Sequence, residues 1–285
     1  PPLVTGFYFL KLQAAAVGSS FTGQGVQVTS FNNDTWTADD FRDAALTTTS
    51  YDLVSLNSHF SHLNLFPNDP VEVLATEFGS STNFGGKLIY SVGCHSGLNV
   101  FDNQTTLAFT GADFAQAFAR HGATFIGNTG YGYGDGDLVS YSERLMLNFT
   151  ESLAYNPVPG QASSMQTVGI ALKQAKQRYI NSLGDGGLTT YDEKVVAEST
   201  LYGLPMLRVD MPNQTSALPG GDSVLTSSNP PSSTGGPVGV QAWEQNLSFT
   251  YSPHSPANTA ERSGTYYTVN GQDGVQATGN RPILP

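Results

Sequence analysis

Four apolar runs of strand length, rich in β-branched and aromatic residues, punctuate the first half of the chain: GVQVTSF (25–31), YDLVSLNS (51–58), KLIYSVG (87–93) and ATFIGNT (123–129). The stretches between them repeat apolar residues at helical spacing. Thr37 is placed to cap ADDFRDAAL, which has acids in its first turn. ADFAQAFARHG sets Phe114, Ala115, Phe118 and Ala119 on one face before Gly122 stops it. Beyond Gly136 the helical period takes over, through Leu138, Tyr141, Leu145, Phe149 and Leu153, then Met165, Val168, Ala171, Leu172, Ala175 and Tyr179. LYGLPMLRVD then reads as a helix end followed by a last strand. Strands alternating with helices predict an α/β domain with a mostly parallel sheet flanked by helices.

Near residue 211 the pattern stops. Residues 211–237 are rich in Pro, Ser and Gly and read as a linker. Beyond it, QNLSFTYSP and GTYYTVNG alternate at strand period, with Asn270-Gly271 as a turn. The expected organisation is therefore a main domain over 1–210, the linker, and a small β-rich appendage or truncated β domain over 238–285. The chain begins Pro1-Pro2, and is expected to be a fragment or processed form of a longer protein with further domains. Its early apolar segment, LVTGFYFLKLQAAAV, is interrupted by Lys11 and Gln13 and reads as neither a membrane span nor a signal peptide.

Charge narrows the partners. With 12 Lys and Arg against 23 Asp and Glu the net charge is −11, which repels nucleic acid and anionic membranes. Only 12% of residues are charged, and Thr, Ser, Asn and Gly are abundant, as in exported bacterial proteins; a secreted or cell-surface location is expected. The single cysteine forms no intrachain disulfide.

That cysteine, Cys94, directly follows the strand KLIYSVG, and His59 directly follows YDLVSLNS. In a parallel sheet, functional groups gather beyond the carboxyl ends of the strands, so both belong to one rim. A lone cysteine is most often a small buried hydrophobe; the pairing of strand-end His with strand-end Cys is what suggests a nucleophile and its base. His62 and His95 compete for the base role, although a neighbour of Cys94 in an extended segment points the other way. His59, His62 and Cys94 are also an alternative zinc set. The loop NTGYGYGDGDLVSYSE should border the same rim. In it Asn128, Tyr131, Tyr133, Asp135 and Asp137 are candidates for a substrate pocket, and Asp135 and Asp137 for calcium.

A strand ending in His, a crossover and a strand ending in Gly-Cys resemble the caspase-haemoglobinase clan of cysteine peptidases. RHGATFIGNTGYGYGD, YSERLMLNF and STLYGLPMLRV make the gingipain-type family the nearest likeness, over roughly residues 3–210. The resemblance implies a caspase-like fold and an endopeptidase acting on peptide or protein substrates without a required cofactor. It implies Cys94 as nucleophile, His59 as general acid and base, an oxyanion hole at the backbone of Cys94 and Phe60, and Asp34 as a candidate orienting acid. The family commonly has Gly on both sides of its His, and Gly-Asp-Pro before its last strand. Here stand Ser58 and Phe60, and Gly203-Leu204-Pro205. A peptidase-like domain that binds without turnover is the alternative.

Overall fold

A computed structural model of the chain describes residues 1–47, 51–67, 70–81, 84–100, 112–183 and 187–218. The predicted appendage and most of the linker lie outside them. Strands β1 (Leu3–Gly6), β2 (Thr29–Asn32), β3 (Leu53–Leu56), β7 (Leu88–Ser91), β8 (Thr124–Asn128) and β9 (Ser199–Tyr202) form a six-stranded sheet. Their order is β2-β1-β3-β7-β8-β9; the first five are mutually parallel and β9 runs antiparallel to β8. A small antiparallel sheet, β4 (His59–Phe60), β5 (Asn64–Phe66) and β6 (Val73–Leu74), leaves the end of β3.

Helices cover both faces, which is why the strands read as unbroken apolar runs. On one face Val4, Leu53, Leu88, Tyr90 and Ile126 pack against α1 (Lys11–Gly23), α5 (Tyr141–Leu153), α6 (Val168–Ser182) and α7 (Thr190–Glu198). On the other, Leu3, Val54, Leu56, Ile89 and Phe125 meet α2 (Ala38–Phe41), α3 (Ala75–Ser81) and α4 (Phe114–Arg120). Consecutive residues go to opposite faces, as the pleat requires.

The mixed α/β architecture with a mostly parallel sheet is as the sequence predicts, and so is the Thr37 cap, whose side chain accepts from Asp40 N–H. Two expectations change, and one segment gains elements that the sequence pattern left unassigned. The N-terminal apolar segment contains β1 and α1, and α1 packs so closely that a Cβ at Gly6 would lie 2.6 Å from that of Ala14. ADDFRDAAL is α-helical only to Phe41, then widens into π-type turns over Arg42–Thr47. The last strand is Ser199–Tyr202 and not the stretch that follows, because Gly203 turns the chain with φ 103°.

Phe118 is fully buried, with the rings of Phe125, Phe78 and Phe84 at centroid distances of 4.8, 5.1 and 5.6 Å. Phe118→Ala is expected to cost about 3–5 kcal/mol by denaturant unfolding. A loss below about 1 kcal/mol would mean that this face is not packed as described.

Candidate active site

β3 and β7 are parallel neighbours in register, Leu53 opposite Leu88 through Leu56 opposite Ser91. His59 and Cys94 therefore each stand three residues past one paired position, on the same edge of the sheet. The two chain exits touch at Gly93, where a Cβ would collide with the ring of Phe60 and lie 2.8 Å from its Cβ.

The exit from β7 is held by a polar network. Gly93 N–H donates to Ser91 Oγ (2.9 Å), and the Ser96 hydroxyl donates to Gly93 O (3.0 Å). Asn128 is buried at the end of β8, and its Nδ2 donates to Val92 O (3.0 Å) and Gly93 O (3.4 Å). Its amide is thus engaged with the backbone ahead of Cys94, which makes it a support of the turn and not the wall of a pocket. Asn128→Ala is expected to lower stability by about 1–3 kcal/mol, the cost of leaving buried carbonyls unpaired. An unchanged melting curve would contradict these bonds.

Cys94 opens a turn, not a helix. Its thiol is free and half-buried, and Sγ lies 3.7 Å from Gly132 O. Among the described residues its N–H has no hydrogen-bond partner. Phe60 offers a second such group. Ser61 N–H donates to Asn64 O (2.9 Å) and closes the β4–β5 hairpin, so Phe60–Leu65 is the non-bonded pair of the ladder and the Phe60 N–H points away from β5. Both neighbours of His59 turn inward: the Phe60 ring is buried against Phe114 (5.2 Å), and the buried Ser58 donates its hydroxyl to Phe66 O (2.6 Å).

His59 is exposed but walled by aromatics, with the rings of Phe7, Tyr8 and Phe9 at 5.8, 6.0 and 6.0 Å. Asp34 accepts from Tyr8 N–H (2.9 Å) and pairs with Lys11, whose hydrogen bond holds the carboxyl below the usual range. It fixes Tyr8, a residue at φ 55°, and does not bond the imidazole. Asn57, just past β3, ties that strand to β1, its Nδ2 donating to Thr5 O (2.8 Å).

His62 stands in the turn of the hairpin, its carbonyl accepting from Phe114 N–H (3.0 Å). Burial lowers its pKa, with Asp113 opposing and His95 adding. His95 is not extended: φ is 55°, its N–H donates to Gly130 O (2.6 Å), and its ring meets Tyr131 edge-on at 4.6 Å. It faces the 129–131 loop. Of the other loop candidates, Tyr133 packs on Tyr191 (5.2 Å) and under Lys194 (5.8 Å). Asp135 Oδ1 accepts from the N–H groups of Asp137 and Leu138, capping its own turn, and Asp137 is exposed. Among the described residues no three His, Cys, Asp or Glu side chains converge as metal ligands, so His59, His62 and Cys94 do not form the alternative zinc site.

Two parts of the site are absent from the sequence reading. The Phe7–Phe9 wall follows β1, and recognising that strand would have placed it on the rim. Glu143 completes a Ser-x-x-Glu pattern from Ser140 that signals a helix start. Its carboxylate is buried and accepts from the N–H groups of Ser140 (3.3 Å) and Asp135 (3.1 Å).

No protein-family model matches the sequence, and no curated protein does. Among solved structures the chain is similar to one described as the structure of pro-sf-caspase-1. The two are 12% identical, the match covers 66% of this chain and 81% of that one, and the TM-score is 0.40.

Proposed function

We propose that the chain is a cysteine-type endopeptidase of gingipain type, with Cys94 as nucleophile and His59 as general acid and base. The matched exits of β3 and β7 carry the reading: a thiol and an imidazole three residues past one register position, joined where Phe60 seats on Gly93. His59 takes the Cys94 thiol proton as Sγ adds to the scissile carbonyl, forming the C–S bond and a tetrahedral oxyanion. The oxyanion collapses to the thioester as the C–N bond breaks, and His59 gives that proton to the leaving amine. His59 then takes a proton from the attacking water and returns it to Sγ as the C–S bond breaks. The unpartnered N–H groups of Cys94 and Phe60 are the donors for the oxyanion, and each such donor contributes on the order of 3 kcal/mol to the transition state. Because Phe60 and Ser58 turn inward, the missing glycines do not obstruct an approaching peptide at His59.

Asp34 acts on His59 through Tyr8, as a positioning residue. Tyr131, exposed beside His95, is the loop side chain that would meet the substrate. In this reading the enzyme is secreted or surface-bound and needs no cofactor. Among the described residues no helix is long and apolar enough to cross a membrane.

A second reading, a binding module without turnover, is favoured by the thiol's contact with Gly132 O and by an imidazole of His59 that makes no hydrogen bond among the described residues. Incubation with a mixed peptide library, with new termini read by mass spectrometry, separates the two. Cleavage that requires Cys94 supports the peptidase. Retained peptides with no new termini support the binding module.

A further inference from the structure

We propose that Glu143 is a positioning residue of this site, whose ionised carboxylate holds the 130–140 loop against both Cys94 and the aromatic wall of His59. Glu143 is fully buried at the start of α5. Its Oε2 accepts two loop N–H groups, from Asp135 and Ser140, and among the described residues its buried Oε1 has no hydrogen-bond partner.

The loop it holds reaches Cys94 and the aromatic wall beside His59. At Gly132 the loop lies on the backbone of Val92, and Gly132 O is the contact of Cys94 Sγ. At Gly134 a Cβ would lie 2.6 Å from Phe9 Cε2 and 2.9 Å from Glu143 Cδ, so the loop is clamped between Glu143 and the wall of His59.

A carboxylate accepting backbone N–H groups in a water-poor site makes roughly twice as strong a bond as a neutral acceptor. Burial pushes the Glu143 carboxyl up to about 7, the two N–H groups oppose this, and the like charge of Asp135 adds to it. Among the described residues Asp135 is the charged side chain that acts on it; the charged groups of α1, α6 and α7, which pack on α5, add nothing. The sign follows. The folded state binds a proton that the unfolded chain gives up near the ordinary glutamate value. The stability contributed by protonation is therefore full below about 4.5 and lost as pH rises through about 7. Protonation also weakens the hold on the loop, so acid firms the fold while it loosens the site.

The inference rests on Cys94 being the reactive group, but its test needs no turnover. Iodoacetamide alkylation of the single thiol is followed across pH in the parent and in Glu143→Gln, with melting curves for both. The parent is expected to react differently from the variant, roughly five- to tenfold, near pH 8.5, with the two converging near pH 5.5. The parent should melt progressively higher relative to the variant as pH falls. A rate ratio that is constant across pH, or equal to one throughout, would overturn the proposal. Should the variant fail to fold, amide exchange in the parent decides. Protection factors at Asp135 and Ser140 are expected to fall several-fold from about pH 8 to about pH 6, and flat ones would overturn it. Failure of these tests with Cys94-dependent cleavage intact would leave the peptidase reading standing.

Discussion

Cys94→Ala is expected to reduce peptide cleavage by at least ~10³-fold, since removing a covalent nucleophile from a hydrolase leaves only what binding and the oxyanion donors supply. Stability should barely change. The thiol is half-buried and makes one weak contact, to Gly132 O at 3.7 Å, so truncation costs well under about 1 kcal/mol. That separation gives the variant its force, because activity disappears while the melting curve stays in place. Cleavage at the parental rate would remove Cys94 from the chemistry and transfer any activity to other residues.

His59→Ala is expected to lower kcat by at least ~10²-fold, the loss of positioned proton transfer, with His62→Ala within a few-fold of the parent. The difference comes from backbone placement. His59 leaves β3 in the position matching Cys94, whereas His62 is carried on to the turn of the β4–β5 hairpin, where it meets the start of α4 and Asp113. The ring of His59 stands in an aromatic wall of Phe7, Tyr8 and Phe9, held in part by Asp34 on Tyr8 N–H. Asp34→Ala should therefore act on kcat through His59, and add little once His59 is gone. Equal losses in the two histidine variants would refute this assignment.

The β3, β7 and β8 strands were legible because each is buried on both faces and so reads as a continuous apolar run bounded by turn residues. β1 was not. Its four residues run with only Thr5 and Gly6 as breaks into the apolar Phe7–Leu10 and on to α1, so one largely apolar segment concealed a strand, a turn and a helix. The β4–β6 hairpins are two or three residues per strand, too short for any period to register.

The chemistry followed the same divide. Strand ends located Cys94 and His59, but side-chain direction decided their surroundings. Phe60 buries its ring on Phe114. Asn128, read as pocket lining, supports the backbone before Cys94. His95 turns toward the 129–131 loop through a positive φ that no alternation pattern anticipates. Glu143 was readable as a capping partner, yet its reach into the loop over Cys94 depends on long-range packing of Gly134 on Phe9.

The most direct measurement of the central claim is intact-mass labelling of the one thiol by a mixture of peptidyl acyloxymethyl ketones, in the parent and in His59→Ala. A thiol primed by His59 and presented to bound peptide should give a single adduct in the parent, forming at least ~10²-fold faster than in the variant. Slow labelling that does not depend on His59, at the rate of an ordinary free thiol, would contradict the pairing of Cys94 with His59.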